Sequence, residues 1–248
     1  MVSFAMHNLT QRQIEILRSI IEEYIETAEA VGSETIEKKH NLSASPATIR
    51  NEMVKLSEYG YIKKPHSSAG RVPTAMGMKF YVRELMKEKD LSTVEEVALK
   101  EKVWDYRDTM QKFLKEATKS LAEKTNTLAI ATTNDGEIYC SGYANILDMP
   151  EFFDIDVTKT LLNALDEYDN FENIFAMVHD EDDIHVLIED ELGSRLRGPY
   201  GFIFTEYTTP LDFHGRIGVL GPARLRYTSI IPTVRYFGNL INTSARGW

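Results

Sequence analysis

Arg50 and Asn51 are the side-chain types that pair bidentately with guanine and adenine edges in the major groove of duplex DNA. They stand together inside Ser45-Pro-Ala-Thr-Ile-Arg-Asn-Glu-Met53. Ser45 is placed to N-cap a helix, and Pro46 suits the first helical position, where a missing N–H costs nothing. Ile49, Met53 and Leu56 recur at i, i+4 and i+7 and make one apolar face. Thr48, Arg50, Asn51 and Lys55 fall elsewhere on the helix, available to a partner, and Ser45 is a further candidate for touching phosphate. Gly60-Tyr61-Ile62 and Pro65-His-Ser-Ser-Ala-Gly-Arg-Val-Pro73 follow. They read as a wing. A strand starts at Tyr61-Ile62, and Arg71-Val72 returns. Lys63, Lys64 and His66, with the small residues Ser67, Ser68, Ala69 and Gly70, build the tip. His66, Ser68 and Arg71 are the candidate wing contacts. Gly70 is expected to supply a positive φ. Tyr59 and Tyr61 read as core.

The elements that must hold these residues are legible upstream. Thr10 and Gln13 have the spacing of a capping box. Ile14, Leu17, Ile21 and Tyr24/Ile25 make the inward stripe of a helix that runs to about Thr27. Val31-Gly32-Ser33 is a turn and cap. A short second helix covers Glu34 to His40, with Ile36 inward, and Asn41-Leu42-Ser43 turns tightly into the Ser45 helix. The order is helix, helix, turn, recognition helix, wing. After the wing, Thr74 to about Lys87 is helical, with Met78, Tyr81/Val82 and Leu85 inward.

The charge distribution fits a DNA-facing N-terminal region. The chain carries a formal net charge of −10. Residues 38–88, however, hold ten basic and four acidic side chains, a net +6, while 1–37 carry −5 and 89–248 carry −11. A basic stretch over the recognition helix and wing is the electrostatic footprint of phosphate binding.

Glu88-Lys-Asp-Leu-Ser92 breaks the helical pattern. Ser92 or Thr93 then caps a helix expected to run unbroken to about Lys124, roughly 45–50 Å long. Its stripe is Val94, Val97, Trp104, Phe113/Leu114, Ala117 and Leu121. An apolar face of that length is expected to bury against a second copy, with Trp104, Phe113, Leu114 and Leu121 as the dimerisation contacts. The alternative is a helix lying on its own C-terminal domain. From Thr127 the pattern turns to strands at Leu128–Thr133, Ile138–Tyr143, Ile184–Ile188, Gly201–Thr205 and Arg216–Leu220. Helices are expected at Val157–Tyr168, with Leu161, Leu162 and Leu165 inward, and at Tyr227–Ile241. The fold class is α+β.

No catalytic constellation is present: no phosphate-binding loop, no zinc-protease helix, no nucleophile elbow. His179-Asp-Glu-Asp-Asp-Ile-His185 reads as an acidic surface turn, not a metal site. Arg195, Arg197, Arg224 and Arg226 read as surface pairs. No cofactor and no metal is expected. Cys140 stands alone, so no internal disulfide is possible and a reducing cytoplasm is the expected compartment. No apolar run approaches the roughly 18 residues a membrane span needs.

Residues 9 to about 86 closely resemble the N-terminal domain of the HrcA family of heat-inducible transcription repressors. The matching stretches are Leu9-Thr-Gln-Arg-Gln13, Val31-Gly-Ser33, Ala47-Thr-Ile-Arg-Asn-Glu-Met53, Gly60-Tyr61, Pro65-His66 and Gly70-Arg-Val-Pro73. Asn145-Ile-Leu-Asp-Met-Pro-Glu-Phe152, Pro199-Tyr-Gly201 and Gly218-Val-Leu-Gly-Pro-Ala-Arg224-Leu-Arg-Tyr227 resemble the family's GAF-like C-terminal domain. The resemblance implies a bacterial, cytoplasmic, homodimeric repressor. Its DNA partner would be an inverted-repeat operator in double-stranded DNA upstream of chaperone operons, with the chaperonin GroEL as modulator. Family members are usually longer. Here Leu128–Thr133 passes through Asn134-Asp-Gly136 almost directly into Tyr139-Cys-Ser-Gly-Tyr143, so the chain resembles a short form lacking most of the inserted dimerising region. The expected division is 1–88 for the winged helix, 89–126 for a linker and dimerisation helix, and 127–248 for the GAF-like domain. Two other functions fit the same residues. One is a winged-helix regulator of another operon controlled by a small effector in the C-terminal domain. The other is a protein-interaction module with no DNA role.

Overall fold

The computed structural model describes residues 9–40, 42, 44–67, 69–106, 109–166, 168–178, 182–209 and 213–244. They form two compact units, 1–87 and 88–248.

The first unit is a winged helix-turn-helix. Helix α1 (Gln11–Thr27) starts at a complete capping box between Thr10 and Gln13 and ends at Ala28 in the left-handed conformation, φ 59°. Its Ile16, Leu17, Ile20 and Ile21 are fully buried. Helix α2 (Ser33–His40) contributes Ile36, and helix α3 (Pro46–Glu58) contributes Ile49, Met53 and Leu56. Ser45 caps α3 by accepting from the Thr48 amide, with Pro46 at the first turn. Gly60 ends it at φ +82°. The wing strands β1 (Ile62–Lys63) and β2 (Val72–Pro73) pair antiparallel, Ile62 opposite Pro73. Helix α4 (Ala75–Phe80), capped by Thr74, continues into a π-helical turn at Tyr81–Leu85.

In the second unit a five-stranded antiparallel sheet has the order β4-β3-β7-β6-β5. Its strands are β3 (Leu128–Thr133), β4 (Ile138–Ser141), β5 (His185–Ile188), β6 (Tyr200–Thr208) and β7 (His214–Pro222). One face buries Leu128, Ile130, Phe202, Phe204 and Leu220 against the short helices α7 (Tyr143–Leu147), α8 (Ile155–Leu165) and α9 (Tyr168–Phe175). Helix α10 (Tyr227–Ser244) also packs on the sheet, through β6 and β7.

The expected single long helix is instead two. Helix α5 (Thr93–Trp104) stops at Asp105, and Thr109 caps a new helix, α6 (Met110–Thr125). The second runs back along the first, with Lys124 paired to Glu95 at 2.6 Å and Lys102 to Glu123 at 2.9 Å. The apolar phase changes across the break. Leu99 and Val103 face inward on α5, while Val94 and Val97 are 78% and 50% exposed. On α8, Leu161 is buried but Leu162 is exposed, because the helix presents only one narrow face to the core.

Candidate nucleic-acid interface

The buried stripe of α3 fixes what its other side presents. Opposite Ile49, Met53 and Leu56 lie Ala47, Arg50, Asn51, Val54 and Lys55, all exposed. Arg50 and Asn51 make no hydrogen bond or ion pair with other described residues, so their donors and acceptors remain available to an incoming base edge. Four polar side chains at or near them, Ser45, Thr48, Glu52 and Lys55, are engaged. Ser45 Oγ and Thr48 Oγ1 lie 3.0 Å apart, so both hydroxyls serve the cap first. Lys55 Nζ donates to Glu52 Oε1 at 3.0 Å, and Gln13 Nε2 donates to Glu52 Oε2 at 2.9 Å. The Lys55 hydrogen bond holds the Glu52 carboxylate below its ordinary range. This network ties α3 to α1 and occupies the charge of Lys55.

The wing divides into a tip and a base. At the tip Lys63, Lys64 and His66 are exposed. Lys64 Nζ donates to the Ser67 carbonyl at 3.2 Å, and the Ala69 amide closes a turn onto the His66 carbonyl at 3.1 Å. Ser68 lies outside the described residues. Arg71 belongs to the base. Its backbone exchanges two hydrogen bonds with Val31, at 2.8 and 2.9 Å. Its Nε donates to Ser57 Oγ at 2.9 Å, and Ser57 donates to the Met53 carbonyl. Partial burial pulls the guanidinium pKa down from its usual value. Arg71 therefore locks the wing to the C-terminal half of α3. Gly70 departs from expectation too: it is not among the positive-φ glycines. A Cβ there would sit 2.4 Å from the Val31 carbonyl oxygen, so the glycine is required by close approach of backbone to backbone.

A capped recognition helix with a clean outward Arg-Asn face, buttressed by a wing, is the geometry of a winged-helix DNA reader. A family model described as "Winged helix-turn-helix transcription repressor, HrcA DNA-binding" matches residues 8–86, and one described as "HrcA protein C terminal domain" matches 75–231.

The chain belongs to the HrcA family.

Among relatives in that family, the heat-inducible transcription repressor HrcA of Clostridioides difficile is 25% identical, covering 94% of this chain and 99% of the relative. That of Ruminiclostridium cellulolyticum is 27% identical, covering 94% and 97%. Both alignments run over more than 330 positions against a chain of 248, so these HrcA proteins carry residues with no counterpart here. A crystal structure titled as a hypothetical protein at 2.2 Å resolution matches the fold with TM-score 0.75 at 20% identity, covering 96% of this chain and 98% of its own.

The dimerisation contacts expected of this HrcA-family chain need correction. Phe113, Leu114 and Leu121 are at most 1% exposed. They lie on α6, which packs on β3, β4 and α10, so they build the C-terminal core and offer nothing to a second copy. Trp104, 36% exposed with Lys100 Nζ 4.6 Å above its ring, keeps an outward face. The expected 89–126 segment packs with the C-terminal unit instead of standing apart. Elsewhere in that unit, Arg224 makes a two-pronged pair with Glu151, at 2.6 and 3.0 Å. His185 is buried and stacks 5.0 Å from Phe204, while residues 179–181 lie outside the described set. No group of three metal-ligating side chains exists among the described residues. Nor is any described helix long and apolar enough to cross a membrane. The contacts of Gln13 with Glu52, of Ser57 with Arg71 and of Val31 with Arg71 had no local signal in the sequence, since each joins residues at least 14 positions apart.

Proposed function

We propose that this chain represses heat-shock or chaperone operons by binding, as a homodimer, an inverted-repeat operator in double-stranded DNA. Helix α3 enters the major groove with Arg50 and Asn51 on base edges. Lys63, Lys64 and His66 follow the flanking backbone. Ser45, Thr48 and Arg71 mainly hold the geometry. The observation that carries this reading is the outward face of α3: Arg50 and Asn51 have no partner among the described residues, while Ser45, Thr48 and Lys55 beside them are engaged. Two copies follow from the short reach of one recognition helix, which a twofold dimer on two half-sites overcomes. Work in the bacterial cytoplasm, modulation by the chaperonin GroEL, and the absence of any enzymatic role rest on the family resemblance. The GAF-like reading of the C-terminal unit, a five-stranded antiparallel sheet with helices packed on it, rests on the same resemblance.

The test is electrophoretic retardation of inverted-repeat DNA across a salt series. Each neutralised phosphate contributes about −0.9 to the log–log slope. A steep negative slope is expected. A slope near zero, or no duplex binding at low salt, defeats the proposal in favour of a protein-interaction module. The small-effector reading has one feature in its favour, an open groove of about 510 Å³ in the C-terminal unit lined by His185, Thr205, Arg216 and Asn239. Arg216 is already paired with Glu206 at 2.8 Å, which leaves the groove few free charges.

A further inference from the structure

Val54 stands out on α3. The other large aliphatic side chains of the helix are at most 4% exposed, whereas Val54 is 43% exposed. It follows Arg50 by four residues and Asn51 by three, and Ala47 precedes it by seven. These spacings place all four side chains along one outward strip, one helical turn apart. Valine is a poor choice for an exposed helix position on propensity grounds, since its branched Cβ loses rotamer freedom there. Helix stability therefore gives no reason for it. A lone exposed aliphatic would need no explanation elsewhere on a surface. Here it lies between the two side chains assigned to guanine and adenine.

The major groove presents one apolar feature, the C5-methyl group of thymine. An aliphatic side chain beside an arginine and an asparagine completes a reading set for three kinds of base. We infer that Val54 is a specificity-determining residue that packs on a thymine methyl in each half-site, one step along the groove from the base pair met by Arg50 or Asn51. This rests on the placement of α3 in the major groove proposed above.

Deoxyuridine differs from thymidine only by that methyl. The probe is a duplex selected by the full-length protein from a randomised pool. Each thymine of a half-site is replaced in turn by deoxyuridine, and Kd is measured by fluorescence anisotropy at fixed salt. With the natural protein, one thymine per half-site should show about a fourfold loss, the size of one buried methyl-sized group. With Val54→Ala the loss at that thymine should fall below about twofold on the same scale. Should Val54→Ala bind too weakly to compare, Val54→Thr, which keeps the branched shape but trades one methyl for a hydroxyl, must still reduce the penalty at that thymine. The inference is overturned if no thymine is sensitive, or if the sensitive one is as sensitive in the variants. Arg50→Ala and Asn51→Ala run in parallel. If they too leave base discrimination unchanged, the placement of α3 fails. If they relax it and Val54→Ala does not touch thymine dependence, only the role of Val54 fails.

Discussion

Replacing Gly70 with alanine should detach the wing from the helical body. The new Cβ would lie 2.4 Å from the Val31 oxygen, 2.5 Å from its carbonyl carbon and 2.9 Å from the Ala30 oxygen. All three are backbone atoms, so no side chain can swing aside. Relief requires the Val31–Arg71 bridge to open, losing hydrogen bonds of 2.8 and 2.9 Å. At about 1 kcal/mol net for each bond, with a further cost for any buried group left unpaired, the loss is about 2–4 kcal/mol. For a unit of this size that corresponds to a midpoint lower by roughly 10–25 °C. Calorimetry on the full chain should show the winged-helix transition moving down while that of the C-terminal unit stays in place. DNA affinity should fall in parallel, because Arg71 orients the wing through the adjacent residue. A Gly70→Ala variant within about 0.5 kcal/mol of the natural protein, well below the cost of one lost hydrogen bond, would refute the close-approach reasoning.

Three further outcomes are expected. Arg50→Ala or Asn51→Ala should cost roughly 1–3 kcal/mol of binding and relax base discrimination, whereas Lys64→Ala should weaken all duplexes alike; competition binding against selected and scrambled duplexes separates the two. Phe113→Ala or Leu121→Ala should destabilise the C-terminal unit by about 2–5 kcal/mol in denaturant titration, while Trp104→Ala stays near 1 kcal/mol or below, as suits buried and outward positions on the α5–α6 hairpin. The Glu95 carboxylate, held down to about 2 by its hydrogen bond from Lys124 and those from Ser92, has a folded pKa below its unfolded one. Its contribution to that hairpin is therefore complete above the ordinary carboxylate range and fades as pH falls toward 2; a carboxylate NMR titration that finds Glu95 near its ordinary value would contradict the pairing.

Local signals were the legible ones. The Thr10–Gln13 box, the Ser45-Pro46 start and the three-residue apolar stripe of α3 involve residues within a few positions of each other, and the structure has each of them where the sequence places it. The strands from β3 to β7 were found to within a few residues, although β6 and β7 extend further than their apolar runs. What failed were features set by distant partners or by a change of phase. The α5–α6 break was hidden because Val94 and Val97 mimic a stripe continuing into Phe113, yet they face outward. Gly70 by its type alone suggests a positive φ, whereas the neighbour that requires the glycine, Val31, lies 39 residues earlier. Short helices such as α7 and α9 offered too few turns to show a period.

The outermost strands of the C-terminal sheet, β4 and β5, are each four residues long, whereas the three they flank have six, nine and nine. Exposed backbone donors and acceptors at a sheet margin are templates for another chain to add itself, and truncated margins give such an intruder little to grip. The long strands that would make good templates are enclosed on both sides. For a molecule whose proposed work is tied to heat, loss of packing around this sheet would have to proceed well beyond its rim before self-propagating strand addition became possible. Loosening would thus remain reversible over a wider span of temperature than the apolar content of β6 alone would allow.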